Sequence, residues 1–458
     1  MNDNERDWVN RLSEMAKTSS MVDTELYTKF DVKRGLRDIN GKGVLAGLTN
    51  IGDVIGQTVL ADSSVPGPGK LTYRGIDIND IVDGFWGQGR GGYEETCYLL
   101  LFGKLPDRAE LERFNALLSS MRKLPHAFVH DSIFTLSSSD IMNAMAQTVL
   151  SLYVLDKRPD ATDIPNVLQQ SLFLIAIFPL IAVYCYRAHA YRYGKRSLII
   201  HSPQAKLSIA ANLLQMLRDD SAYTPLEEQL LDLALVLHAE HGGGNNSSFA
   251  THVVTSSGTD TYSAITAALG SLKGPKHGGA NIKVVQMIDD LKKNVADWEN
   301  DAQVEDYLSK LVNKTAFDRT GLIYGFGHAV YSVSDPRTLI LRRHVKDLAR
   351  EKGKLAELAL YEKIETMAPG LIGSNRKIYK GVSANVDFYS GFLYRLLGIP
   401  SEMFTPLFAV SRIVGWCAHR IEELANGGKI IRPAYKSVTP AQSYVPFEDR
   451  AGLQLPQE

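Results

Sequence analysis

Thr224-Pro-Leu-Glu-Glu-Gln-Leu-Leu-Asp-Leu-Ala-Leu-Val-Leu-His-Ala-Glu-His-Gly-Gly-Gly244 reads as one helix with both ends marked. Thr224 and Glu227 have the spacing of a reciprocal cap, and Pro225 at the first helical position gives up an N–H that has no partner there anyway. Leu226, Leu230, Leu233 and Leu237 then recur at helical spacing, so one stripe faces a core. The three glycines stop the helix, which puts His238 and His241 in its expected last turn. Working outward, the same texture repeats. Tyr93–Phe102 is apolar and ends at Gly103, Pro106-Asp-Arg-Ala-Glu-Leu111 opens another helix, and Ser139-Asp140 caps an amphipathic run to Leu150. Residues 1–65 are mixed in character, and Leu71–Gly75 reads as a short strand. Alternating strand patterns are scarce, so the fold class is mainly α.

Between about 279 and 390 the charge density rises, with a Lys/Glu-rich run over 346–365, and an apolar helix then returns at Phe404–Leu424. This predicts a large helical domain (1–278), a smaller inserted domain (279–390), and a return to the large one with an extended tail (391–458).

Lys plus Arg (50) balance Asp plus Glu (51), which supplies no field for nucleic acid or an anionic membrane. Three cysteines (Cys97, Cys185, Cys417), far apart, form neither a disulfide framework nor a zinc module. The most apolar run, Leu172–Tyr186, holds Pro179 and is short of a membrane span, so a buried core helix kinked or broken near Pro179 is expected. The N-terminal residues carry no apolar core of a secretory signal, and a cytoplasmic location is expected.

Several short stretches carry chemistry-bearing residues. Gly274-Pro-Lys-His277-Gly-Gly-Ala-Asn281 interrupts two helical runs and sets an imidazole among glycines, near a helix start whose dipole disfavours a second positive charge. A neutral imidazole there is suited to donating a hydrogen bond to a carbonyl, although a turn histidine bonded to backbone is the plainer reading of that stretch alone. In Gly325-Phe326-Gly327-His328 the backbone amides beside the glycines suit anions or polar ligand edges, without the full dinucleotide fingerprint. Asp335-Pro336-Arg337 caps a helix and places a guanidinium on its positive end, a seat for carboxylate or phosphate. Arg412 lies inside the apolar Phe404–Leu424 run and needs a partner, either a structural acid or a ligand. Asp387 in Asn385-Val-Asp387 reads, on its own, more readily as a helix cap than as a base, and Arg432 beside Pro433 says little alone. His238 and His241 lack the HExxH spacing and a third ligand, so no metal is expected on them.

In their order, these stretches resemble the citrate synthase family: Leu237-His-Ala-Glu-His241-Gly-Gly-Gly-Asn245, Gly274–Asn281, Gly325-Phe-Gly-His328, Asp335-Pro-Arg337, Asn385-Val-Asp387, Val410-Ser-Arg412 and Arg432-Pro433, with Thr72-Tyr-Arg-Gly75 and Glu94-Glu95 upstream. The resemblance spans roughly 70–440. It implies a helical homodimer of large and small domains that condenses acetyl-CoA with oxaloacetate and has no permanently bound cofactor. By motif, it implies that Asp387 is the base, that His277 stabilises the enol or enolate, and that His328 polarises the ketone. His241, Arg337 and Arg412 would hold oxaloacetate, and Arg432 would reach the neighbouring subunit's cleft. Gly325, Phe326, Gly327, Lys377 and Lys380 are implied for CoA. After His241 this chain has Gly242 where many members carry Glu or Gln, and Glu240 replaces the commoner Asp, so the support of His241 differs. The related reading is a 2-methylcitrate synthase using propionyl-CoA, and the non-enzyme reading is an inactive CoA- or carboxylate-binding regulator.

Overall fold

The computed structural model describes residues 2–38, 42–60, 63–375 and 381–450, and the chain divides into two units, Gly47–Ile431 and Met1–Ala46 with Arg432–Glu458. In the larger unit the core is built on two long helices. Ile164–Arg192 buries 21 of its 29 residues and runs through Pro179 without a break. Of the two expected outcomes at the proline, kink or break, the break does not occur, because the proline costs about 3 kcal/mol, far less than the burial of the side chains on both sides of it. This helix is long and apolar enough to cross a membrane, yet it lies inside the protein.

Helix Phe404–Ala425 is the second core element, buried continuously from Phe404 to Arg420. It packs against Ile164–Arg192, Tyr93–Phe102, Pro225–His238, Asn246–Thr255 and Thr261–Lys273. Helix Pro225–His238 has the reciprocal Thr224–Glu227 cap read from the sequence. It ends at His238, so His241 lies three residues beyond it, in the glycine turn. A second set of helices, Ala280–Asn294, Asp301–Val312, Pro336–Glu351, Leu355–Asn375 and Val386–Leu396, packs largely on itself, and Pro225–His238 touches two of its members.

Residues 52–77 form a three-stranded antiparallel sheet that the sequence showed only as a short strand at 71–75: β1 (Gly52–Leu60), β2 (Ser63–Tyr73) and β3 (Ile76–Asp77). Register runs from Gly52↔Tyr73 to Leu60↔Ser63, with a shift between Ile55 and Gln57. From β2, the Tyr73 hydroxyl donates to the Val236 carbonyl at 2.9 Å and lies 3.2 Å from the Glu240 carbonyl, so the sheet clamps the end of helix Pro225–His238.

In the terminal unit, Asn2 and Glu5 cap helix Asp3–Ser20, none of whose residues is buried. The segment 432–446 has no helix, and Lys436 lies over the Phe30 ring at 4.9 Å.

Candidate active site

Two chain segments are clipped together at the centre of the site. The Gly327 amide donates to the Ser383 carbonyl (3.0 Å) and the Asn385 amide to the Gly325 carbonyl (2.8 Å), a short antiparallel bridge between Phe326 and Ala384. Gly325 has φ +85°, and a side chain there would also meet Phe388 Cδ2 at 2.8 Å, so only glycine fits. Asn385 then serves both partners. Its Oδ1 accepts from the Asp387 amide (3.1 Å), starting helix Val386–Leu396, and its Nδ2 donates to the Gly327 carbonyl (2.9 Å). Asp387 thus stands in a first helical turn, one short bridge away from the loop that carries His328. Burial pushes its carboxyl up to about 6, against the pull of Arg337 and Arg412.

His328 Nδ1 accepts two backbone N–H bonds, from Val330 and Tyr331, each 3.0 Å. A nitrogen that accepts carries no proton, so the neutral ring bears its hydrogen on Nε2. The ring stacks on Tyr331 with centroids 4.6 Å apart and meets the edge of His241 at 5.0 Å. The β-sheet braces this loop from outside. Gly69 of β2 donates to the Ser334 carbonyl at 3.1 Å, and a Cβ on Gly69 would lie 2.1 Å from that oxygen.

Asp335 caps helix Pro336–Glu351 and grips Arg337 with both oxygens, Nε to Oδ1 at 3.0 Å and Nη2 to Oδ2 at 2.7 Å. Asp335 Oδ2 also accepts from the Val386 amide at 3.2 Å, which ties this arginine to the helix bearing Asp387. Arg412 is different. It is wholly buried, its Nε donates to the His238 carbonyl at 2.6 Å, and neither Nη has a hydrogen-bond partner among the described residues. Burial lowers it to about 10, which leaves it charged at neutral pH. Eight residues further along the same helix, Arg420 shows what a structural arginine looks like: it donates to Thr261 Oγ1, Thr255 Oγ1 and the Thr259 carbonyl. An unmatched buried guanidinium costs several kcal/mol, a cost that an incoming carboxylate would offset. His241, nearly buried, also leaves Nε2 without a partner, and burial with the positive charge of Arg337 holds it well below its ordinary pKa.

His277 lies in the turn between helices Thr261–Lys273 and Ala280–Asn294, three residues before the second. Burial lowers it to about 4, with Arg412 adding to the effect, so it is a neutral imidazole. Its Nε2 is 3.2 Å from Ser247 Oγ. That hydroxyl also accepts from the buried Trp416 indole N–H (3.0 Å) and lies 2.9 Å from Asn245 Oδ1. Ser247 has a single proton to give. Turned to Asn245, it leaves His277 protonated at Nε2; turned to His277, it leaves the proton on Nδ1. Phe408 joins the parts: its ring is 4.8 Å from the Arg412 guanidinium, 4.7 Å from His238 and 6.4 Å from His277.

The chain thus gathers His241, His277, His328, Arg337, Asp387 and Arg412 in one unit. Phe326 packs on Phe388 (5.0 Å), and the Gly327 amide is occupied by Ser383, so it is not one of the open donors the sequence suggested. Arg432 is exposed and belongs to the terminal unit. Lys377 and Lys380 lie outside the described residues. The sequence reading missed Ser247, Trp416 and Tyr331. Ser247 and Trp416 are 169 residues apart, and no local pattern announces their meeting. Glu240 turns toward His419 and the Gly242 amide rather than toward His241.

Comparison with known proteins completes the description. The sequence model of a family described as citrate synthase, C-terminal domain, matches residues 37–434. The chain is similar to a citrate synthase of Deinococcus radiodurans, 36% identical over 386 residues that cover 83% of this chain and 93% of that protein. It is also similar to a 2-methylcitrate synthase of Shewanella oneidensis, 32% identical over 401 residues, 87% and 96% of the two chains. Among solved structures, a citrate synthase of Thermoplasma acidophilum in a ternary complex with carboxymethyl coenzyme A and oxaloacetate aligns over 91% of this chain and 99% of that one, with a TM-score of 0.74 and 28% identity. A citrate synthase of Pyrobaculum aerophilum aligns over 89% and 94%, with a TM-score of 0.71 and 30% identity.

Proposed function

The chain belongs to the citrate synthase family of acyltransferases, and from that membership we propose that it condenses acetyl-CoA with oxaloacetate and hydrolyses the product to citrate and CoA. The Asp387 carboxylate takes a proton from the acetyl methyl group. His277, neutral and holding its proton on Nδ1 with Ser247 turned toward Nε2, donates to the thioester oxygen as the enol or enolate forms. The enolate carbon attacks the ketone carbon of oxaloacetate, and His328 gives its Nε2 proton to the ketone oxygen as it becomes the citryl hydroxyl. Water then cleaves the thioester, forming the new carboxylate and releasing the CoA thiol.

Oxaloacetate's two carboxylates fall to the cations, with Arg412 the principal seat because both of its Nη groups lack partners. Arg337 is already neutralised by Asp335, which makes it an orienting contact rather than the main source of charge. His241 completes that side through Nε2. CoA is assigned to the Gly325–Gly327 loop and to Lys377 and Lys380. Residues 279–390 form the small domain, which closes on the remainder of the larger unit, and the working assembly is a cytoplasmic homodimer in which Arg432 serves the neighbouring cleft.

The observation that carries this reading is the base: a carboxyl raised to about 6 by burial, beside two guanidiniums. Such a group is a stronger base than free Asp yet is ionised at neutral pH. The test is thiol release with oxaloacetate and either acetyl-CoA or propionyl-CoA. Higher kcat/KM for acetyl-CoA supports the proposal, a clear preference for propionyl-CoA makes the protein a 2-methylcitrate synthase, and no turnover of either leaves a non-catalytic homologue. The relatives carry both names, and one methylene is worth only about 1–3 kcal/mol in such a pocket.

A further inference from the structure

On the far side of Glu240 from the candidate site, two histidines and three acids converge. His252, on helix Asn246–Thr255, places Nδ1 2.8 Å from Glu423 Oε2. His419, on helix Phe404–Ala425 and fully buried, places Nε2 2.9 Å from Glu240 Oε1. Each ring thus has a carboxylate behind it, and the inner nitrogens, His252 Nε2 and His419 Nδ1, face each other at 3.1 Å. When both rings donate outward, both inner atoms present lone pairs, and two lone pairs at that distance require a cation between them. A shared proton is one answer, with Glu422 as ion-pair partner of the charged His419 ring; a metal ion is the other, and it gives the same carboxylate a direct bond. Glu422 is held by the Asn50 amide on Oε1 (2.6 Å), while its buried Oε2 has no hydrogen-bond partner and points at His419 Nδ1 from 3.7 Å.

We propose that His252 Nε2, His419 Nδ1 and Glu422 Oε2 bind a divalent metal ion of the zinc class. These three atoms all lie within 4.8 Å of one another. Nitrogens 3.1 Å apart subtend about 100° at a zinc bonded to each at roughly 2.05 Å, so a tetrahedral angle needs a separation only about 0.2 Å wider. The outward carboxylates Glu423 and Glu240 are the groups that fix the tautomer and orientation of metal-bound imidazoles and raise their basicity. Imidazole with one carboxylate suits zinc, cobalt(II) or nickel(II) better than magnesium or calcium, which prefer oxygen alone. His252 is slightly exposed (13% of its side chain), which leaves the ion a way in and a fourth position for water. The sequence could not announce this cluster, since His252 and His419 are 167 residues apart.

The test uses the full chain, stripped with chelator and titrated with cobalt(II). Uptake of one cobalt per chain, with the visible bands of a four-coordinate ion, is expected, and Glu422→Gln and His252→Gln should each weaken it at least tenfold with the circular dichroism spectrum preserved. X-ray absorption on the unmodified chain loaded with zinc needs no variant, and should show two imidazole nitrogens with oxygen at about 2.0–2.1 Å. Absence of uptake at micromolar cobalt, equal uptake by both folded variants, or a zinc shell with fewer than two imidazoles overturns the proposal. None of these readouts depends on citrate formation.

Discussion

At the scale of single residues the site depends on where protons sit. Asp387 must be ionised to act as a base, so activity should be lost as pH falls through about 6, the value to which burial raises it, and not near the ordinary aspartate range. A kcat/KM profile for acetyl-CoA with its acidic limb near 4 would contradict this. Asp387→Asn removes the base and should lower kcat at least a thousandfold while oxaloacetate still shifts the thermal midpoint; citrate formation within a few-fold of the parent would refute the assignment. Ser247 is predicted to be a positioning residue, since its hydroxyl selects which His277 nitrogen bears the proton. Ser247→Ala should reduce kcat about tenfold with little change in KM for oxaloacetate, and Ser247→Thr should recover part of the loss. Equal loss in both variants would point to packing against Trp416 instead. Of these residues Asp387 and His277 were singled out through the ordered set of motifs, since their local settings alone read as a cap and a turn. It did not display Ser247, an ordinary first-turn serine until its three partners are seen.

At the scale of elements, legibility followed the kind of signal. Helix starts were readable because caps are local: Thr224–Glu227, Asp140 and Asp335 all cap the helices the sequence assigned them. Strand β2 was mostly hidden, because Pro66 and Pro68 with Gly67 and Gly69 erase alternation in Ser63–Tyr73, and pairing with β1 outweighs propensity. The apolar run around Pro179 was legible as a buried core helix, and the break offered there as one outcome does not occur because tertiary burial overrides a local breaker. The sheet is a working part, since Gly69 holds the Ser334 carbonyl close to the loop of His328 and Tyr331. Gly69→Ala places a methyl group 2.1 Å from that oxygen and must force the sheet and loop apart. It should destabilise by about 2 kcal/mol and depress kcat, with helical circular dichroism unchanged. Unaltered activity would show that the brace is dispensable.

At the scale of the whole molecule, Arg432 carries the largest claim. It is exposed and belongs to the terminal unit, and the role proposed for it from the family resemblance requires two chains for each working cleft. Arg432→Ala and Asp387→Asn chains, each nearly inactive, should then complement when mixed. After full exchange half the dimers are mixed, and one cleft in each of those has both good residues, so about a quarter of all clefts recover. Activity no higher than the mean of the two variants, with mixed dimers verified by mass spectrometry, would confine Arg432 to its own subunit or to no site. No single sequence states such an arrangement, because in the proposed assembly the arginine and the cleft it serves are on different copies. The bridge between Phe326 and Ala384 has a different consequence at this scale. It suspends His328 and Asp387, the proposed proton donor and base, from one pair of backbone bonds, Gly327 to Ser383 and Asn385 to Gly325. The interval between them is therefore a manufactured tolerance, set by the backbone rather than by side-chain packing. If the proposed roles hold, adapting the enzyme to a bulkier acyl chain means recutting the surroundings of His277, with Ser247 and Phe408 beside it, while this gauge is left alone.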